Sequence, residues 1–130
     1  MRVVFDTNIL VSAFVLPGGS GDEALRRVLE GHDELVISKP IIDELLLVLA
    51  RKFSRDPDEL SRLALFLSDS AELVRPRRRL QVLEDDPDNR ILECALTGQA
   101  EAIVTGDKQM LALREYRGVR LISLRNFLQC

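Results

Sequence analysis

The sequence has few of the residues that stabilise a protein by covalent cross-links or metal coordination. It contains two cysteines and one histidine among 130 residues, and it has no tryptophan. Cys94 and Cys130 lie far apart without a CxxC spacing, and a structural zinc site needs about four such ligands. A disulfide framework and a zinc site are therefore excluded. Two free thiols are typical of a protein in a reducing cytoplasm.

Long apolar runs are absent as well. The longest run without a polar residue is Leu45–Ala50, whereas a membrane-spanning helix needs about 20 apolar residues. The first residues, Met1–Phe5, predict a strand rather than a basic-then-apolar leader. We therefore expect a cytoplasmic protein without a membrane anchor. A chain of this length forms one domain with its own core, which we place over residues 1–130.

The sequence also lacks an excess of positive charge. Acidic residues outnumber basic residues by 21 to 18, and the formal net charge is −3. That balance excludes a protein that binds nucleic acid through bulk positive charge, although local contacts remain open. Only Lys39, Lys52 and Lys108 are lysines, and all other basic residues are arginines. Arginine suits bidentate contact with phosphate, but genome composition explains the bias equally well.

Short apolar runs alternate with stretches of helical periodicity along the whole chain. The predicted strands are Val3–Phe5, Leu35–Ile37, Leu73–Val74, Ala102–Val104 and Val119–Ile122. The predicted helices begin at Ser20, Ser38, Asp56 and Asp88, and two more cover Lys108–Tyr116 and the C-terminus to Phe127. Continuous apolar strands are typical of a parallel sheet covered on both faces. The sequence therefore predicts a single three-layer α/β/α domain with a central parallel sheet.

Two helix starts have the spacing of a capping box, Ser20 with Glu23 and Asp56 with Glu59. The helix that contains Ile41–Ala50 is apolar almost all round, which predicts that it is largely buried. Together with the helix through Leu60–Leu67 it offers much apolar surface for a small domain. A dimer or partner interface and an ordinary core are alternative explanations.

Carboxylates stand where the predicted strands end. Asp6 follows the first strand and Asp107 follows the strand Ala102–Val104, and ligands bind at this edge of parallel sheets. Glu44 (or its neighbour Asp43) and Asp88 lie in early helical turns. Four clustered carboxylates need either protons or a cation, and an all-oxygen site favours Mg²⁺ or Mn²⁺. Helix capping and the helix dipole are the alternative explanation for each acid.

These residues carry a resemblance to the PIN domain family. Four segments resemble its acidic motifs in order and spacing: Val3–Leu10, Ile42–Leu45, Asp85–Asn89 and Val104–Asp107. The resemblance extends from Val3 to Leu128. Within the family the chain is similar to VapC-like toxin components of bacterial and archaeal toxin–antitoxin systems.

The resemblance implies a Mg²⁺- or Mn²⁺-dependent ribonuclease, an endonuclease that hydrolyses RNA phosphodiester bonds. It implies the toxin of a type II toxin–antitoxin pair, with a small cognate antitoxin and commonly a homodimer. The metal-binding and catalytic acids would be Asp6, Glu44, Asp88 and Asp107. The supporting residues would be Asn8, Thr105 and Glu93, the last matching an extra acid of some members.

The third acidic motif is ambiguous, since Asp85 and Asp86 compete with Asp88. We favour Asp88 because it abuts the helix, and we expect the other two to lie in a solvated loop. Local arginines must supply RNA affinity in an acidic chain. The candidates are Arg75, Arg77, Arg78 and Arg79, with Arg51, Lys52 and Arg55 as a second group. A solvated basic loop is the alternative explanation.

Other functions fit the pattern less well. A receiver domain needs an acidic pair after its first strand, but Thr7 and Asn8 follow Asp6. A haloacid-dehalogenase-like phosphatase needs a second aspartate at the position of Asn8. The serious alternative is a catalytically silent PIN-like module that binds nucleic acid or protein.

Overall fold

The computed structural model describes residues 1–130 as a sheet surrounded by helices. The strands are β1 (Arg2–Phe5), β2 (Glu34–Ser38), β3 (Glu72–Val74), β4 (Ala102–Val104), β5 (Glu115–Tyr116) and β6 (Val119–Ile122). The helices are α1 (Thr7–Val15), α2 (Ser20–Leu29), α3 (Lys39–Phe53), α4 (Pro57–Ser70), α5 (Asp86–Thr97), α6 (Lys108–Leu113) and α7 (Leu124–Leu128). None of these helices is both long and apolar enough to span a membrane.

The sheet has the strand order β3-β2-β1-β4-β6-β5. Every neighbouring pair is parallel except β5 and β6, which are antiparallel. Val3, Val4 and Phe5 of β1 are all buried, although consecutive strand residues point to opposite faces. Both faces are therefore covered, as in parallel sheets flanked by helices. The predicted α/β class with a central, mostly parallel sheet is confirmed.

Helices pack on both faces of the sheet and exclude water from them. Helix α5 packs across β1, β2 and β4. Phe127 of α7 meets Phe5 edge-on, with ring centroids 5.6 Å apart. Such an aromatic pair is worth about 0.5–1.5 kcal/mol beyond the area that it buries. Helix α5, which carries Asp88, thus lies directly against the strands that precede Asp6 and Asp107.

Two elements differ from the sequence prediction. Helix α1 was not predicted, and it begins at Thr7 because the Asp6 carboxylate accepts the backbone N–H of Asn8 and caps it. The helix predicted over Lys108–Tyr116 is wrong in its last three residues, since α6 ends at Leu113. Arg114 adopts a left-handed backbone conformation (φ 60°), and β5 then pairs with β6.

The predicted caps and burial also differ in part. Asp56 accepts the backbone N–H of Glu59 at 2.9 Å, which confirms that cap. Ser20 does not cap α2, because the cap position is Gly19 and no side chain bonds there. The prediction of a largely buried α3 is wrong for one face, since Leu47 is 47% exposed. In α4, Leu65 is 66% exposed.

The strand order reverses between β1 and β4, and this is the point where parallel α/β sheets form ligand sites. The register pairs Phe5 with Val104. The residues that follow these two strands, beginning with Asp6 and Thr105, therefore emerge side by side at the carboxyl edge. The fold brings two of the sequence-predicted site residues together at this edge.

Candidate metal centre

Asp6 is buried at the end of β1 and is held by three hydrogen bonds. Its backbone N–H donates to the carbonyl oxygen of Val104 at 2.9 Å. Its carboxylate accepts the backbone N–H of Asn8 at 3.3 Å and the hydroxyl of Thr105 at 2.6 Å. The Asn8 side chain itself is exposed. Asn8 therefore contacts Asp6 through its backbone, whereas Thr105 contacts it through its side chain.

Asp107 begins α6 and is aligned by backbone donors. Its carboxylate accepts the N–H of Gln109 at 2.7 Å and that of Met110 at 3.3 Å. The N–H of Asp107 donates to the hydroxyl oxygen of Thr105 at 3.0 Å. Thr105 is fully buried, so one hydroxyl group links Asp6 to the loop that carries Asp107.

Glu44 reaches the same edge from α3. The hydroxyl of Thr7 donates to its carboxylate at 3.1 Å, which fixes the direction of a half-buried side chain. Thr7 was missed in the sequence interpretation, which named its neighbour Asn8 instead. No local pattern singled out Thr7, because helix α1, which directs Thr7 and Asn8 to different sides, was itself not predicted.

Asp88 and Asp85 come from the start of α5. Carboxylate oxygens of Asp85, Asp88 and Asp107 all lie within 4.8 Å of one another. Asp88 is buried, and its Oδ2 has no hydrogen-bond partner. Asp85 was expected in a solvated loop, but its exposed carboxylate lies beside Asp88. Asp86 does lie outside, where it pairs with Arg79 and Arg90.

No positively charged side chain forms an ion pair with these carboxylates. No lysine, arginine or histidine nitrogen lies within 4.0 Å of the five acids that meet at this edge. We call these residues the acid cluster: Asp6, Glu44, Asp85, Asp88 and Asp107. Nearby cations pair elsewhere, as Lys39 does with Asp43. The cluster therefore carries uncompensated negative charge.

The pKa values of the cluster reflect this arrangement. Burial, followed by the charges of Asp6, Asp85 and Asp107, raises the pKa of Asp88 to about 7. Burial also raises the pKa of Asp6, and it raises the pKa of Glu44 together with the nearby charges of Asp6 and Asp85. Each shift means that the folded chain disfavours the ionised form.

The donor set fits a hard divalent cation. Five carboxylates without a histidine or cysteine supply only oxygen ligands, which suit Mg²⁺ or Mn²⁺. The unpartnered Oδ2 of Asp88 is a buried acceptor that costs free energy when nothing binds it. A cation would satisfy this atom and offset the mutual repulsion of the cluster. The residues present therefore fit a metal centre.

Glu93 lies away from the acid cluster. It is buried, it accepts the backbone N–H of Leu80 at 2.7 Å, and it pairs with Arg90 at 2.7 Å. Its position is next to the predicted RNA-contacting arginines, and it lines the same two cavities as Arg75, Arg77 and Arg78. Glu93 thus binds Leu80 and Arg90, beside the arginines, and does not join the acids.

The comparisons with known proteins agree with this geometry. A family model described as PIN domain matches residues 2–109 of the chain. The chain belongs to the PIN domain family. This PIN domain is also 27% identical over 119 residues to the "Uncharacterized protein MJ1680" of Methanocaldococcus jannaschii, covering 88% of the chain and 76% of that protein.

Two solved structures have a similar fold. VapBC2 from Rickettsia felis, crystallised with a DNA fragment from its promoter, matches with a TM-score of 0.65 and 19% identity. That match covers 95% of this PIN domain and 98% of the other chain. VapBC-1 from nontypeable Haemophilus influenzae matches with a TM-score of 0.65 and 16% identity, covering 96% and 99%. At these identities the likeness establishes the fold.

Thr105→Val is expected to lower the free energy of unfolding by about 1–3 kcal/mol, because buried Asp6 loses its hydroxyl donor while the side-chain volume hardly changes. Urea unfolding at neutral pH in chelator measures the effect. Thr97→Val is the matched control, since Thr97 is exposed on α5. Equal stability of the two variants would contradict a structural role for the hydroxyl that links Asp6 to the Asp107 loop.

Proposed function

We propose that this PIN domain, a single domain over residues 1–130, is a metal-dependent ribonuclease that hydrolyses RNA phosphodiester bonds. The observation that carries the proposal is the acid cluster without a cationic partner at the switch point of the sheet. PIN domain proteins are generally nucleases that use a divalent metal. A buried carboxylate with a free oxygen and a pKa of about 7 supports a site built for a cation.

The proposed metal ligands are Asp6, Glu44, Asp88 and Asp107, with Asp85 as a further acid within reach. When bound there, Mg²⁺ or Mn²⁺ supplies a water nucleophile and neutralises charge on the phosphate. The other residues hold the ligands in place. Thr105 orients Asp6, the N–H groups of Gln109 and Met110 orient Asp107, and Thr7 orients Glu44.

We further propose that the chain is the toxin of a type II toxin–antitoxin pair. Both solved relatives are VapBC structures, which supports a small cognate antitoxin as the partner. Exposed apolar side chains on α3 and α4, including Leu47, Phe53, Leu65 and Phe66, supply surface for that antitoxin or for a second copy in a homodimer.

Incubation of the purified chain with a panel of structured RNAs, in Mn²⁺, in Mg²⁺ and in excess chelator, tests the ribonuclease proposal. We expect cleavage in either metal and none in chelator. The Asp6→Asn variant, prepared in parallel, excludes contamination by a host nuclease, since it should be inactive. Equal products from the variant and the parent chain would overturn the proposal. Binding of RNA without cleavage in any metal would favour the silent binding module instead.

A further inference from the structure

The surroundings of the acid cluster differ in charge on its two sides. On one side lies an open cavity of about 510 Å³ lined by Asp85, Asp107, Glu84, Lys108 and Gln109. On the other side lies a cavity of about 360 Å³ that is lined by Arg79 and Arg90 as well as by Asp43, Glu44 and Asp86. A polyanion that reaches the cluster therefore meets guanidinium groups on this side, whereas the other side has one lysine among three acids.

The arginine side continues as a furrow. The cavity beside Glu44 shares Pro40, Arg79 and Arg90 with a second cavity of about 290 Å³. The second cavity in turn shares Arg75, Arg77, Arg78 and Glu93 with a third of about 430 Å³, which ends at Arg117. Because each cavity shares lining residues with the next, the three are adjacent and together extend from Glu44 to Arg117. We call this row of cavities the arginine furrow.

The charges in the furrow are free to bind a ligand. Arg75, Arg77 and Arg78 are exposed, and no carboxylate oxygen lies within 4.0 Å of their nitrogens. Arg79 has one contact, to Asp86 at 3.6 Å, between two exposed side chains. Such exposed pairs contribute little stability, so a phosphate competes for Arg79 at small cost. In a chain of net charge −3, this concentration of unpaired guanidinium groups is local.

Hydrogen bonds fasten the chain after these arginines to the helix that carries Asp88. Leu80 donates its N–H to Glu93, and its carbonyl oxygen accepts from Arg90 at 3.0 Å. Two residues further on, the N–H groups of Val82 and Leu83 donate to the side-chain oxygen of Asn89. Glu93, Arg90 and Asn89 all belong to α5. The end of the basic segment is therefore attached to the helix that carries Asp88, while Arg75, Arg77 and Arg78 themselves remain exposed.

We infer that the arginine furrow binds the phosphate backbone of single-stranded RNA on one side of the bond to be cut and leads the strand to the acid cluster. The inference rests on the proposed ribonuclease function. Guanidinium groups bind phosphate oxygens in bidentate pairs. A single strand fits because the opposite border of the cluster carries Glu84 and Asp85, which repel the second strand of a duplex.

Salt-dependent binding tests the furrow without relying on cleavage. The probe is a labelled single-stranded RNA of about 12 nucleotides, a length typical of such sites, bound in Mg²⁺ to the full chain carrying Asp88→Asn. The furrow variant carries three further substitutions, Arg75→Gln, Arg77→Gln and Arg78→Gln. It should bind the RNA about 10- to 100-fold more weakly than the Asp88→Asn chain at 0.1 M salt. The slope of log Kd against log salt concentration should fall by about 2, at about 0.7 for each lost phosphate contact.

The matched control removes the same charge elsewhere. Arg62, Arg120 and Arg125 are exposed and likewise lack a carboxylate within 4.0 Å. The triple variant Arg62→Gln, Arg120→Gln and Arg125→Gln should keep the slope of the parent. Equal slope losses in both triple variants would show binding by overall charge and overturn the inference. Duplex RNA that binds as tightly as the single strand would overturn it as well.

Because the furrow binds RNA on one side of the bond to be cut, the two ends of a substrate should contribute unequally to cleavage. Shortening the RNA from one end should lower kcat/KM for cleavage, whereas shortening it from the other end should not. In the Arg75, Arg77 and Arg78 triple variant the two ends should become equivalent, because the contacts that distinguish them are gone. Symmetric dependence in the parent chain would contradict the furrow. A parent chain that cuts nothing would refute the proposed ribonuclease, while the binding experiment would still judge the furrow.

Discussion

Replacing Asp88 by asparagine should abolish metal-dependent RNA cleavage and, in chelator, make the protein more stable than its parent. Cleavage should fall by about 100-fold or more, because the cation that activates water loses a ligand. Without metal the variant is the more stable chain, because in the parent Asp88 is buried beside Asp6, Asp85 and Asp107, which disfavour its ionised form. An amide of nearly equal size removes that repulsion.

The sign of this effect follows from proton linkage. In the unfolded chain Asp88 ionises near its ordinary pKa of 3.8, whereas in the folded chain its pKa is about 7. Between these values the folded state binds more protons, so the free energy of unfolding falls as the pH rises. Above pH about 7 Asp88 is ionised in the folded chain as well, and the full cost of ionising it then lowers the free energy of unfolding. At this pH the free energy of unfolding of Asp88→Asn should exceed that of the parent by about 1–2 kcal/mol. This figure is already reduced for solvent screening at the open site.

Thermal melts across this pH range, together with cleavage assays, measure both effects. Asp58→Asn is the matched control, because Asp58 is an exposed acid in the first turn of α4, as Asp88 is in the first turn of α5. If Asp88→Asn instead lost as much stability as Asp58→Asn, Asp88 would act only by stabilising the start of its helix through the helix dipole. Undiminished cleavage by Asp88→Asn would remove this residue from the site. Asp85→Asn should lose part of the activity, since Asp85 also lies in the cluster.

Addition of Mg²⁺ or Mn²⁺ to the chelated protein should raise its melting temperature by several degrees. A ligand at about 100 times its Kd adds about 2.7 kcal/mol to the free energy of unfolding, and a domain of this size converts that into several degrees. The physical source is the relief of repulsion within the acid cluster, in which Asp85, Asp88 and Asp107 lie closest together and Asp6 and Glu44 are near enough for their charges to act.

The metal-induced rise should be larger above pH 7 than below it. A cation must displace the proton that Asp88 holds at lower pH, so apparent affinity falls as the pH drops through about 7. Calorimetry in two buffers of different ionisation enthalpy should show proton release near neutral pH. With Asp88→Asn the order of stability should reverse, the variant being more stable in chelator and less stable in metal. Melting curves that coincide with and without metal would contradict a metal centre at the acid cluster.

Much of the fold was predictable because apolar runs report burial directly. The buried parts of β1, β2 and β4 are unbroken apolar runs, namely Val3–Phe5, Leu35–Ile37 and Ala102–Val104, and all three were predicted. Helix α1 was missed because its residues are mostly apolar and show only a weak helical stripe. The boundary of α6 was missed because it depends on the left-handed conformation of Arg114, a residue type that usually avoids it.

The sequence by itself determined the chemistry of the candidate site, namely acids at the ends of apolar strands and at helix starts. These positions follow from local patterns, in which an apolar run stops at Phe5 or Val104 and a polar residue follows. They also follow from the parallel topology, which brings strand ends to one edge. Asp6, Asp88 and Asp107 were named on this basis, whereas the choice of Glu44 over Asp43 came from the resemblance to the PIN domain family.

Only the tertiary structure decided which side chains share that space. Thr105 donates to Asp6 across 99 positions of sequence, a contact set by the register of β1 against β4. Asp85 and Glu93 carry the same charge, yet the first joins the cluster while the second turns to Arg90. Side-chain direction depends on where α5 docks on the sheet, and docking is set by packing over the whole core rather than by local spacing.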